Sequence, residues 1–398
     1  MIHQFKTTQS NLGFDFDVEF DKNQKIYCII GKNGIGKTQL LENMAKALLF
    51  QHSMFSRKDN FLVFGGFFSN KTIEEKLKKF DLSLPIEIML NQIKIKDKYQ
   101  HPWGHTTFSK LKNYSNGNFI CDKPILFIGA KNRGFSKNID PDNIKILGNK
   151  ENRFVESITR TMAYINGEGL EQEEVANWFV SRLIINPKFV IAEQNKSNEV
   201  ITVLKLIEKL EPSYKLVIPN ENGGNSIDML YHEGELLINN IPLDKLSTGF
   251  ISIIKIFQEI VAGYGGWVNE DDLSQVDGIV FIDEIEPHLH LSWQTKIISI
   301  LREFFPQTTF YISTHSPLVL AGLKEGEAYE LYKDEEANIV KTKKIEKIEN
   351  YFLNDIVSEF FGVDLNKEKI ALLNNDKEAE KRAKIGKDFL SFLESVED

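Results

Sequence analysis

The sequence predicts an α/β fold: a mixed sheet with flanking helices, an antiparallel β subdomain and a helical lobe. Three observations carry that expectation. Short apolar runs at Ile26–Ile30, Ile279–Ile282 and Thr309–Ser313 have the length of buried strands, and each stops abruptly at a glycine turn, a carboxylate pair or a Thr-His pair. The stretch "FDFDVEF" (14–20) alternates apolar and polar residues, as a half-buried antiparallel strand does. Between residues 140 and 245, stretches such as "EEVANWFVSRLI" and "VITVLKLIEKL" carry apolar residues at helical spacing.

The first run leads into Gly31-Lys32-Asn33-Gly34-Ile35-Gly36-Lys37-Thr38, which matches GxxxxGK[ST]. A helical pattern follows, with Leu40, Leu41, Met44, Ala47 and Leu48 on one face. Strand, glycine-rich turn and helix form a P-loop. Its glycines let backbone N–H groups of Asn33, Gly34, Ile35 and Gly36 converge on a triphosphate, with the helix N-terminus adding positive potential. Lys37 is expected to bridge the β- and γ-phosphates and Thr38 to ligate Mg²⁺. The second run ends in Asp283-Glu284. Charge at a buried strand end needs a partner; Mg²⁺ provides one for Asp283, and Glu284 is placed to orient or deprotonate the attacking water. His315 follows the third run and can contact the γ-phosphate. Earlier, "LSTGF" (246–250) precedes "ISIIKIFQEIV", where Ser247 is a good helix N-cap and Gly249 leaves backbone N–H groups open to an anion.

These pieces, in this order, resemble the ABC-type ATPases, a P-loop NTPase family. The resemblance implies Walker A at Gly31–Thr38, a signature at Leu246–Phe250, Walker B at Ile279–Asp283 with Glu284 catalytic, a D-loop around Glu286-Pro287-His288, and His315 as the switch histidine. It implies that Ser247 and Gly249 bind ATP held by the P-loop of another copy, so that two ATP molecules are buried in a head-to-tail homodimer. Phe250 departs from the Gln or Glu common after the signature glycine. Lys37 and Ser247 lie 210 positions apart, wider than in transporter ATPases and similar to the RecF and SMC side and to OLD-like proteins. No heptad run fills the gap and no TOPRIM-like Glu…Asp-x-Asp arrangement follows. The pattern after His315 looks like the stand-alone ATPases of anti-phage systems such as Septu, some retrons and PARIS. That likeness implies ATP and Mg²⁺ as cofactors, a homodimer or higher homo-oligomer, and a separate effector, a nuclease or toxin. A RecF-like repair ATPase that binds DNA directly and a non-hydrolysing scaffold remain alternatives.

The parts divide as 1–50, N-terminal strands and Walker A; 51–135, an insertion and the strand Ile125–Ile128; 136–250, a helical lobe ending in the signature; 251–330, Walker B, D-loop and switch histidine; and 331–398, a hairpin and helices. After Ile128 the family places a Gln-containing loop. Here stand Lys131, Asn132 and Arg133, and Arg133 is either a phosphate sensor or a surface residue. From Lys71 to Lys112, nine lysines face five acidic residues, interleaved with Phe80, Tyr99, Trp103 and Phe108. Both a nucleic-acid contact and a solvated helix with an aromatic edge fit this composition. Ile385, Phe389, Phe392 and Leu393 make an apolar stripe that could dock on self, a second copy or an effector.

The chain has 398 residues, 42% hydrophobic and 26% charged, in the range of soluble globular proteins. A net charge of −9 excludes a chain-wide basic field for nucleic acid. Two cysteines, Cys28 and Cys121, exclude a disulfide framework and suit a reducing cytoplasm. Neither a membrane span nor a signal peptide is expected.

Overall fold

The computed structural model describes residues 1–8, 13–52, 61–63, 66–68, 87–96, 121–137, 144, 146–169, 174–184, 196–213, 215–216, 226–227, 229–232 and 235–362. The chain divides into two compact units, Met1–Glu349 and Asn350–Asp398. The described part of the second holds one helix, Leu353–Phe361, closed by Gly362 in the left-handed conformation. Most of the basic-aromatic stretch from Lys71 to Lys112, with its four aromatic residues, and the stripe at Ile385–Leu393 lie outside the described residues.

The first unit is built on a ten-stranded mixed sheet. Its strands in chain order are β1 (Gln4–Thr8), β2 (Asp15–Glu19), β3 (Ile26–Ile30), β4 (Glu87–Leu90), β5 (Ile93–Lys96), β6 (Ile125–Ile128), β7 (Ile279–Ile282), β8 (Thr309–Ser313), β9 (Ala328–Asp334) and β10 (Ile339–Lys344). In space the order is β5-β4-β1-β2-β10-β9-β3-β8-β7-β6. The last five are parallel to one another, and β3, β6, β7 and β8 are buried along their whole length. Burial on both faces explains why they read as unbroken apolar runs. β2 alternates as expected, with Phe16 and Val18 inward. The antiparallel subdomain is continuous with this core: the hairpin β9–β10 inserts between β3 and β2. A separate three-stranded antiparallel sheet, Met229–His232, Glu235–Ile238 and Ile241–Pro242, runs up to the LSTGF turn.

Register across the parallel strands is visible in one row of aromatic rings. Phe127, Phe281, Tyr311 and Tyr27 are direct cross-strand partners. Their rings stack at centroid separations of 6.2, 5.1 and 4.8 Å. Such cross-strand pairs hold register, and this register aligns the C-terminal strand ends where Asp283 and Ser313 emerge. That edge of a parallel sheet is where α/β folds bind ligands.

The helices are α1 (Lys37–Phe50), α2 (Lys150–Ile165), α3 (Glu174–Leu183), α4 (Ser197–Leu210), α5 (Thr248–Trp267), α6 (Leu291–Gln294), α7 (Ile297–Phe304) and α8 (Pro317–Leu320). α1 packs on β6 and β8, while α2 and α5 pack on β6 and on each other. Among the described residues, no helix is long and apolar enough to cross a membrane.

Candidate nucleotide site

The P-loop connects β3 to α1 through backbone that only glycine adopts freely. Gly31, Gly34 and Gly36 have φ of 152°, 77° and 100°. A Cβ on Gly31 would stand 3.0 Å from the Leu331 carbonyl oxygen, and one on Gly36 would stand 2.9 Å from the Phe14 ring. α1 begins with no side-chain cap and no acidic residue in its first turn, so the N-terminal N–H groups and the positive end of the helix dipole are uncompensated by side chains. Lys37 folds back over the loop, its ammonium donating to the carbonyls of Gly31 at 2.8 Å and Lys32 at 3.2 Å. Burial lowers its pKa, opposed by the nearby Glu284, Asp283 and Glu286 carboxylates. Asn33 and Gly34 are exposed at the tip, and Ile35 closes the turn with its N–H on the Lys32 carbonyl at 3.3 Å.

The acidic side is assembled from three strands. Register sets Asp283 after Ile282, with its N–H on the Ile128 carbonyl at 2.9 Å. The Thr38 hydroxyl lies 3.0 Å from both carboxylate oxygens of Asp283. Ser313 Oγ donates to Asp283 at 2.7 Å and accepts the Glu284 N–H at 2.7 Å. A hydroxyl beside one carboxylate is a donor set suited to Mg²⁺, which takes few protein ligands and completes its shell with water and phosphate. Among the described residues, no group of three or more His, Cys, Asp or Glu forms an all-protein metal cage, and Mg²⁺ does not need one.

Glu284 sits at φ 47°, a conformation that strains a residue with a Cβ. Both sides of it are gripped: its N–H by Ser313, its carbonyl by Arg133 Nη2. Its carboxylate is 3.9 Å from His315 Nε2, and both side chains are about one-third exposed. Glu286, placed by the D-loop, accepts the Thr314 hydroxyl and the His315 N–H, each at 2.7 Å, and so fixes the histidine backbone.

The structure thus brings Lys37, Thr38, Asp283, Glu284 and His315 together. It places Ser247 and Gly249 differently. Ser247 caps α5, accepting the Phe250 N–H at 3.2 Å. A Cβ on Gly249 would lie 2.6 Å from the His288 carbonyl, which accounts for the glycine. Ser252 Oγ donates to the Pro287 carbonyl at 3.0 Å. The LSTGF turn therefore packs on its own D-loop, and among the described residues no hydrogen bond joins Ser247 or Gly249 to the P-loop of the same chain. Phe250 is buried near Trp293, the rings 6.1 Å apart.

Ser313 and Lys255 were not singled out by motif, Glu286 entered only as part of the D-loop, and Arg133 only as an open alternative. Ser313 and Glu286 act only through partners far along the chain. Arg133 is 1% exposed, which overturns the surface reading; burial lowers its pKa to about 10, opposed chiefly by Glu286 and Asp283. Lys255 is fully buried on α5 and donates to the Asn132 and Phe135 carbonyls. Its signal in the sequence was a lone cation inside "ISIIKIFQEIV". A cavity of about 360 Å³ lies elsewhere, between α2, α3, α5 and β6. Two of its arginines, Arg160 and Arg182, are in ion pairs with Glu259 and Glu199, at 2.9 and 2.8 Å.

Residues 26–321, from the P-loop strand past His315, match the AAA_21 family, described as "AAA domain, putative AbiEii toxin, Type IV TA system". The chain belongs to this family. Two proteins named Septu protein PtuA are similar to it. The one from Bacillus mycoides (strain KBAB4) is 25% identical over 91% of this chain and 44% of its own length. The one from Bacillus thuringiensis is 23% identical over 86% of this chain and 80% of its own. The chain therefore spans less than half of the first relative and most of the second. A shorter stretch, 11% of the chain, is 58% identical to 8% of the Retron Vc95 probable ATPase of Vibrio cholerae serotype O1 biovar El Tor.

Proposed function

We propose that this protein is an ABC-type ATPase that closes as a head-to-tail dimer around two Mg-ATP molecules. Binding and slow hydrolysis act as a switch on a separate effector, a nuclease or toxin, in cytoplasmic anti-phage defence. The observation that carries the reading is the Lys37–Thr38–Asp283–Ser313–Glu284 constellation at the aligned ends of β3, β7 and β8. Membership of an AAA family and likeness to Septu and retron proteins support the setting.

The residues divide the work as follows. Backbone N–H groups of Asn33–Gly36 and the α1 N-terminus hold the β- and γ-phosphates. Lys37 exchanges its two carbonyl partners for phosphate oxygens, and partial burial strengthens that attraction. Mg²⁺ at Thr38 and Asp283 would supply charge neutralisation for the phosphate oxygens. Glu284, held at both ends of its peptide, takes or orients the proton of the attacking water. His315, held by Glu286, reads the γ-phosphate position. The LSTGF turn, anchored on its own D-loop at the buried Gly249, presents the exposed Ser247 outward to a second copy, and movement of the 136–250 lobe carries the turn with it.

Two substitutions test this. Glu284→Gln is expected to lower kcat by about a hundredfold or more and to accumulate an ATP-bound dimer on size-exclusion chromatography. Ser247→Arg is expected to keep fluorescent-nucleotide binding in the monomer and to lose both dimer and turnover. Normal hydrolysis by Ser247→Arg would remove the shared-site reading. An unchanged Glu284→Gln would mark a scaffold that binds without turnover.

A further inference from the structure

The turn after β6 reaches into the site from two directions. Arg133 is buried, and one N–H of its guanidinium goes to the carbonyl of Glu284. Its Nε and Nη1 make no hydrogen bond. Buried donors left unpaired cost about 1–3 kcal/mol each, so an apolar side chain would serve the fold at least as well, and the guanidinium needs another reason to be there. The other end of the turn is tied to α5: Lys255, one of the few charged groups in a buried helix, donates to the carbonyls of Asn132 and Phe135. Gly134 is packed under the His288 ring, where a Cβ would come within 2.8 Å of it. α5 also holds the D-loop directly, through Ser252 on Pro287. Helix, turn, Glu284 and D-loop make a closed circuit of contacts, and that circuit holds Glu284 in its strained backbone conformation.

We infer that the Lys131–Phe135 turn is a brace that sets the Glu284 carboxylate, with Arg133 and Lys255 as positioning residues linking it to the helix that carries LSTGF. The inference deepens the ATPase reading and rests on it for its catalytic consequence. Mechanically it stands on the contacts alone. Lys255 lies two turns along α5 from Ser247, so a shift of the helix N-terminus is transmitted to the peptide of Glu284. The brace occupies the place of the Gln-containing loop that the family resemblance led one to expect.

The test uses Arg133→Met, Arg133→Lys and Lys255→Met in the full chain. The first readout needs no nucleotide turnover: backbone hydrogen exchange over residues 283–290. Arg133→Met and Lys255→Met should each speed exchange there about tenfold or more, as expected when a local tie is released, and Arg133→Lys should stay near wild type. The second is steady-state kinetics. Arg133→Met should lower kcat about thirtyfold, in the range of a displaced catalytic group, with KM and fluorescent-nucleotide affinity within about threefold. Arg133→Lys should recover at least about a third of kcat, because one N–H to one carbonyl is the contact at stake. Adding Arg133→Met to Glu284→Gln should slow the residual rate no further. Unchanged exchange in both Met variants overturns the brace, whether or not the protein hydrolyses ATP. Equal loss of nucleotide binding and turnover, unrescued by lysine, overturns it in favour of a purely structural role. A wild type without turnover sinks the ATPase reading while leaving the exchange result to decide the brace.

Discussion

At the scale of single residues, the proposed chemistry rests on hydroxyls and carboxylates that share few atoms. Ser313 Oγ both donates to Asp283 and accepts from Glu284. Ser313→Ala removes both bonds without opening much space. It should lower kcat about ten- to a hundredfold and melting temperature by only a few degrees, read by coupled ATPase assay and calorimetry. Glu42, on the P-loop helix, offers a pH test. Burial first, and Asp283 secondarily, raise its carboxyl from the usual 4.5 to about 7, with Lys46 opposing. The folded state then binds the proton more tightly than the unfolded chain does, so this group's contribution to stability falls as pH rises from about 4.5 to about 7. Glu42→Gln should match wild type near pH 4 and be more stable by about 1 kcal/mol at pH 8, the figure discounted because the side chain is only half-buried. Urea titrations at the two pH values check it, and an equal gain at both would show that charge is not the cause. Of these residues, sequence motifs exposed Lys37, Thr38, Asp283 and Glu284, because phosphate and Mg²⁺ chemistry restricts residue type and spacing. Ser313 carries no local signature, and the sequence named Glu286 and Arg133 without their partners, since each acts through a residue 28 to 151 positions away.

At the scale of elements, the strands were legible and one helix was underestimated. β3, β6, β7 and β8 run where their apolar residues do. Helical spacing predicted "ISIIKIFQEIV", whereas α5 continues through "AGYGGW" to Trp267. Glycine disfavours helix interiors by about 1 kcal/mol, so propensity argued for an earlier stop. Packing wins here: Cβ atoms on Gly263, Gly265 and Gly266 would fall 2.5, 2.3 and 2.7 Å from Leu126, Glu199 and the Arg153 carbonyl. Gly266→Ala should therefore destabilise by about 1–3 kcal/mol despite its better helix propensity. A rise in denaturation midpoint would show that α2 can move away. The hairpin β9–β10 shows the converse limit. Its two strands were readable, but its insertion beside the P-loop strand was not, because strand order depends on which edges find each other in three dimensions.

For the whole molecule, the shared-site reading makes a prediction that no single-chain site can meet. Ser247→Arg chains keep an intact P-loop and Glu284; Glu284→Gln chains keep an intact LSTGF turn. Each alone should be inactive, and their mixture should regain turnover, because one composite site per mixed dimer has every part. Failure of the mixture to exceed the sum of its components, at concentrations where dimers form, would mean that the turn does not act across copies. By itself the sequence determined the P-loop ATPase family and which residues are expected nearest a nucleotide, because a triphosphate and its cation accept very few arrangements of glycine, lysine, hydroxyl and carboxylate. Only the tertiary structure decided how Glu284 is held, why Gly249 and the α5 glycines are glycine, and where the hairpin enters the sheet. Those outcomes follow from contacts between segments tens to hundreds of residues apart, whose cause lies in packing and register rather than in any local pattern.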